Sequence, residues 1–288
     1  MKRLFAYPYI LWMGIFIVVP LLLVVYYSVT ATGPDGNTIF TFDHFRRFFA
    51  PITPGMDQPL RERIFVSVAL RSIRLALQST GICLLLGYPV AYIMTRKEYS
   101  EKSVLLFMLL VPMWMNFLLR TYAWLTILER NGLVNQLLSR MGLPMIDILY
   151  TDAAVLLGMV YNFLPFMILP IYTSLKKMDP RLIEAAQDLG AGGVSVFARV
   201  VFPLSLPGVI SGITMVFMPG AATFIISNLL GGQQYFLLGN LVEMQFLNVG
   251  DWHFGSAIAV IMMLLMVASM VILSLFDKGE NQGRSTII

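Results

Sequence analysis

The chain has 288 residues, of which 58% are hydrophobic and only 12% charged, with a formal net charge of +4 and a mean hydropathy of +0.76. Soluble domains carry about 25% charged residues, so this composition excludes a soluble enzyme and describes an integral membrane protein placed in a lipid bilayer. The positive charge belongs to membrane topology rather than to nucleic-acid binding, because no basic cluster alternates with exposed aromatics.

Lys2 and Arg3 precede an apolar stretch from Leu4 to Val29 that contains Pro20 and is longer than the core of a secretory signal peptide. It reads as an uncleaved first span over about 4–29. Residues 30–62 are rich in Pro, Gly and Asp, and their aromatic patch from Phe40 to Phe49 suits a short helix anchored at the headgroups. A second span over 74–95 is bracketed by Arg74 and Arg96; at 1.5 Å per residue it covers roughly 33 Å, enough for a hydrocarbon layer of about 30 Å. Cys83, the single cysteine, lies inside this run. One cysteine excludes a disulfide or cysteine metal site within the chain, and its expected role is a small buried side chain.

The third span, over 104–127, holds Pro112 and Arg120. Arg120 lies roughly 24 Å from the entry side, so its guanidinium is expected to snorkel to the far headgroups. A polar loop with Asn131-Gly132, Arg140 and Pro144 leads to a fourth span over 153–175 with Pro165 and Pro170. The carbonyls freed by those prolines need neighbouring helices or a wet cavity. A fifth span over 203–226 contains Pro207 and Pro219, with Gly208 and Gly212 forming a small face for close helix contact. The segment from Gly231 to Trp252 is amphipathic and broken by Gly239 and Gly250, a last span covers 255–276, and a polar tail from Asp277 is expected to fray.

With the amino terminus inside, eleven Lys and Arg fall on the inner side and nine on the outer, while all six lysines, Lys2, Lys97, Lys102, Lys176, Lys177 and Lys278, fall inside. Both termini are therefore expected in the cytoplasm, around six transmembrane helices forming one all-α domain. Between the fourth and fifth spans lies a polar island, Asp179 to Pro203. Asp179 can cap a helix, Pro180 suits its first position, and Gly190 can take the left-handed turn that ends it. The result is a helix of about three turns, too short to be stable alone. It needs a partner, and Leu182, Ile183, Ala186 and Leu189 give it a face to dock with.

Glu184-Ala185-Ala186, with Gly190 six positions after the glutamate and Pro203 thirteen after Gly190, resembles the EAA signature of ABC importer permease subunits. Val200 and Phe202 depart from its commoner Ile and Leu but stay apolar. The resemblance implies a type I (MetI-like) permease fold, with residues 179–203 as the coupling region seated on an ATPase subunit. It extends further: Val111 to Tyr122, Val160 to Tyr172 and Leu238 to Asn248 are similar to segments of polyamine permeases in that family. What this implies is import of spermidine and putrescine, a second permease subunit, an ABC ATPase dimer below, and an extracytoplasmic polyamine-binding protein above, in a bacterial inner membrane.

Polyamines are multiply protonated, so their path should offer carboxylates and aromatic faces. Candidates are Trp114, Tyr122 and Tyr161 within the spans, with Asp152, Glu243 and Asp251 near the outer mouth. No catalytic machinery is legible. His44 and His253 lie far apart in the sequence, and there is no His-Glu-x-x-His, phosphate-binding Gly-x-x-x-x-Gly-Lys or Gly-x-Ser-x-Gly. No metal or cofactor is expected, and nucleotide must be bound by a separate subunit. Iron chelates, phosphonates or thiamine stay open as alternative solutes, as does an ion-coupled secondary transporter with a midplane site at Pro165 and Pro219.

Overall fold

The structure, a computed structural model, describes residues 7–33, 37–50, 64–96, 103–232 and 235–284. Lys2, Arg3, Lys97 and Lys102 lie outside the described residues, as does the side chain of Lys278. The chain forms two compact units, Met1–Arg71 with Leu237–Val267, and Ser72–Phe236 with Ala268–Ile288. Among the described residues, five helices are long and apolar enough to cross a membrane, and a sixth candidate is a bent pair.

In the first unit, α1 (residues 7–28) is the first span, with a π-helical turn at Gly14–Val18. A two-stranded antiparallel hairpin follows, β1 (Thr30–Thr32) paired with β2 (Thr38–Phe40) so that Thr30 faces Phe40. The aromatic patch forms the expected short helix, α2 (Asp43–Phe49). Phe48 is buried from it against Phe65, which meets the buried Phe254 edge-on, while Phe40 and Phe42 stay exposed. Near the end of the chain, α11 (residues 238–249) contains Gly239 rather than being broken by it; the glycine is buried inside the helix. Gly250, at φ +74°, ends that helix as expected, because only a residue without Cβ adopts the left-handed turn freely. The last helix, α12 (Trp252–Arg284), carries a span over Trp252–Leu275, which starts before 255 and ends beside the expected 276, and the helix continues through the tail to Arg284.

The second span is also longer than the sequence implies. Helix α3 (Ile64–Met94) takes in Arg71 and Arg74 instead of starting after them; at 31 residues it measures about 46 Å, more than the hydrocarbon thickness. The expected third span divides. α4 (Ser103–Trp114) and α5 (Phe117–Leu128) are separated by Met115 and Asn116 and bent by 91°. Pro112 has no amide to continue the first ladder, and the Asn116 side chain accepts from the Leu118 amide at 2.8 Å to start the second. What reads as a polar loop contains α6 (Leu133–Arg140). Its buried Asn135 donates to the carbonyls of Glu129 and Ile146 and accepts from the Ile146 amide, pinning the returning chain.

The fourth span, α7 (Asp152–Lys176), matches its expected limits. It packs lengthwise against α9 (residues 193–222). Gly208 and Gly212 permit this approach: a Cβ at Gly208 would stand 2.7 Å from the Pro170 carbonyl oxygen, and one at Gly212 would stand 2.8 Å from Met167 Sδ. α3 joins them, with Gly87 against Met167 and Ile168 and the buried Cys83 thiol near the Val160 carbonyl. The fifth span differs at both ends from 203–226. It begins at Gly193, passes through a π-helical turn at Phe197–Val201, and stops at Ala222. A separate helix, α10 (Ile225–Leu230), then packs on α5 and α7.

Candidate functional site: a capped helix and two paired carboxylates

Asp179 and Gly190 delimit α8 (Pro180–Asp188) as the sequence implies. The Asp179 carboxylate accepts from the Arg181 amide at 3.0 Å. Gly190 sits at φ +82°, where its amide donates to Gln187 and the next amide, from Ala191, donates to Ala186. These paired bonds satisfy the last carbonyls and stop the helix. No residue of α8 is buried. Glu184 and Ala185 are exposed; on the apolar face Ile183 and Ala186 are half-buried, while Leu182 and the adjoining Leu189, 89% exposed, stay uncovered. Pro203 does not open a span; it follows the π-helical turn inside α9, where the ladder has already widened ahead of a residue with no amide to donate.

Of the residues expected along a cationic path, Trp114, Tyr122, Tyr161 and Asp152 belong to the second unit and Glu243 and Asp251 to the first. Trp114 ends α4 beside the bend, 78% exposed and edge-on to Phe107. Tyr122 is exposed on α5. Tyr161, on α7, meets Trp124 of α5 edge-on at 5.3 Å. Trp124 was not among the candidates, although its i+4 spacing from Arg120 marks the same helix face. Asp152 is paired with Arg74, and its second oxygen is buried without a partner. In the other unit, Asp251 accepts from Arg47 at 2.8 Å and from the Phe254 amide at 3.0 Å, while Glu243 ends the α-helical part of α11. Asp152 and Asp251 are thus each held by an arginine.

Burial tends to raise the Asp251 carboxyl, but the Phe254 amide and the Arg47 guanidinium outweigh it and hold the group below the usual carboxylate range. Arg47 also lies 4.2 Å over the Phe254 ring. Beside this pair the two histidines, distant in sequence, stack at 5.6 Å with their planes 10° apart. His44 Nε2 donates to the Thr30 carbonyl and His253 Nδ1 to the Tyr27 carbonyl, each at 3.1 Å, since a carbonyl only accepts. Arg120 does not snorkel: it is 7% exposed, with Nε and Nη1 buried and without hydrogen-bond partners.

A cavity of about 660 Å³ opens between α4, α7 and α9, lined by Met113, Phe166, Pro170, Lys177, Gly208 and Ser211 among others. None of the six path candidates lines it. Among the described residues no three His, Cys, Asp or Glu side chains converge to hold a metal.

Residues 84–281 match the family described as the binding-protein-dependent transport system inner membrane component. The spermidine/putrescine transport system permease protein PotB of Escherichia coli strain K12 is 36% identical over 260 residues, covering 88% of this chain and 90% of that protein. The protein of the same name from Haemophilus influenzae is 38% identical over 257 residues, covering 88% and 86%. A solved bacterial ABC transporter involved in import of the acidic polysaccharide alginate shares the fold, with a TM-score of 0.70 over 98% of this chain and 96% of that one, at 19% identity. By sequence over most of its length, and with an ABC importer permease fold, the chain belongs to the binding-protein-dependent transport system inner membrane component family, whose members are transport permeases of the inner membrane and not enzymes.

Proposed function

We propose that this chain is the permease subunit that, with a second permease, forms the path for spermidine and putrescine through an ATP-driven importer, with an ABC ATPase dimer on one side and a polyamine-binding protein on the other. The observation that carries this reading is the 36–38% identity to spermidine/putrescine permeases over most of both chains. The fold by itself is neutral on the solute, since an alginate importer of opposite substrate charge shares it. Coupling is assigned to Glu184, Ala185, Ala186, Gly190 and Pro203. α8 is capped at both ends, has no buried residue and leaves Leu182 and the adjoining Leu189 exposed, which supports a seat on another protein.

ATP binding draws the ATPase copies together, carries α8 with them, and shifts the permease pair between inward-open and outward-open states; hydrolysis resets it. Trp114, Tyr122 and Tyr161 offer ring faces to ammonium groups, and Asp152, Glu243 and Asp251 offer carboxylates, with Asp152 and Asp251 exchanging an arginine for the solute. The test is uptake by the reconstituted complex with unlabelled competitors. Putrescine or spermidine should suppress uptake while thiamine, phosphonates and iron chelates leave it unchanged; the reverse pattern overturns the assignment. In the same system Glu184→Lys is expected to insert normally but to lower uptake about tenfold or more at a given rate of ATP hydrolysis, because it reverses the charge at the docking face.

A further inference from the structure

The π-helical turn of α9 is held at both ends by α3. Phe197 opens the turn and Phe202 follows it directly. Tyr88 of α3 meets Phe197 edge-on at 5.6 Å and Phe202 at 5.7 Å, and Tyr92, one helical turn on, meets Phe197 at 5.8 Å. Tyr88 and Ser205 are both buried, with their oxygens 2.8 Å apart. Ser205 Oγ spends its proton on the Phe202 carbonyl at 2.9 Å, so the Tyr88 hydroxyl is the donor to Ser205. Four rings and one directed hydrogen bond therefore fasten the turn that lies between α8 and the rest of α9, and α8 itself packs on that turn.

A π-helical turn carries an extra residue in a wider ring and is a point where a helix deforms more easily. Left free, it would absorb a push from α8 as bending. Clamped to α3, it passes the push on to two helices at once. Pro89, next to Tyr88, removes the amide that would bond the Leu85 carbonyl, so α3 has its own flexible point beside the clamp.

We propose that Tyr88 is a positioning residue for energy coupling, clamping the π-helical turn so that displacement of α8 moves α3 together with α9. The proposal rests on the reading of α8 as the ATPase-coupling helix. The experiment uses the complete importer in proteoliposomes and measures solute taken up per ATP hydrolysed, together with recovery of the ATPase on the permease. Tyr88→Phe, which keeps the ring and removes the donor, is expected to lower the ratio by about twofold to threefold, the scale of one hydrogen bond. Tyr88→Leu, which also removes the ring contacts, should lower it by about tenfold or more, with ATPase recovery and hydrolysis near wild type. A merely structural role would lower assembly, hydrolysis and uptake in proportion and leave the ratio alone. An unchanged ratio in both variants overturns the clamp, and if Tyr88→Leu fails to assemble, the ratio in Tyr88→Phe decides alone. Crosslinks from Ala185 to the ATPase separate the two layers: their absence sinks the coupling reading, while their presence with unaltered ratios sinks only the clamp.

Discussion

Arg120 carries a charge that the sequence assigns to the headgroups and that the tertiary structure encloses. A buried guanidinium with two unpaired donors costs free energy rather than supplying it. Arg120→Leu is therefore expected to keep the stability of the detergent-solubilised subunit or raise it by up to about 1–3 kcal/mol, read as an unchanged or higher melting temperature. A clear fall in melting temperature would show that the charge has a stabilising partner. Stability retained with uptake lost would assign the arginine to transport instead. Asp251 works in the opposite direction. Its carboxyl is depressed in the folded state, so its stabilisation is complete above the unfolded value of about 4 and fades as pH falls through the folded value. Asp251→Asn should lower the melting temperature at neutral pH, with the gap to wild type closing below about pH 4. A gap that does not change with pH would mean that neither the Phe254 amide nor Arg47 stabilises the charged carboxylate. Neither outcome could be read from residue type alone, because Asp251 and Arg47 are 204 positions apart.

At the scale of elements, the chain's own bonds explain α8 and its contacts explain α9. Every feature that bounds α8, the Asp179 cap, Pro180 and the Gly190 turn, acts locally along the chain, so the sequence discloses it. The start of α9 is different. Ten residues from Gly193 to Phe202 continue the helix below Pro203, held by the rings of Tyr88 and Tyr92 on α3, and no local signal announces that support. Gly208 was legible as a small residue at helical spacing from Gly212, but its neighbour was not. A valine at Gly208 would overlap the Pro170 carbonyl and Ser174, whereas Gly192 has open space around it. Gly208→Val is expected to destabilise the α7–α9 pair by about 1–3 kcal/mol. Gly192→Ala should have little effect, and thermal unfolding of the two variants compares them directly. Equal melting temperatures would mean that the two helices separate at little cost.

For the whole molecule, charge and span count predict an orientation in the membrane. Reporter fusions at Lys177 and Arg140 should give cytoplasmic and external signals respectively; an external signal at Lys177 overturns both the topology and the seat proposed for α8. By itself the sequence determined the membrane class, the apolar runs and the capped helix α8, since hydropathy is summed over neighbours and caps close over a single turn. Where the spans begin and end was decided by tertiary structure. The 91° bend after Trp114, the long α3, the burial of Arg120 and the stacking of His44 on His253 depend on side chains far apart in sequence. The pairing of Asp152 and Asp251 with arginines belongs to the same class. Hydropathy reports whether a segment prefers lipid to water; which neighbour it meets there is set by packing and by where the buried polar groups find partners.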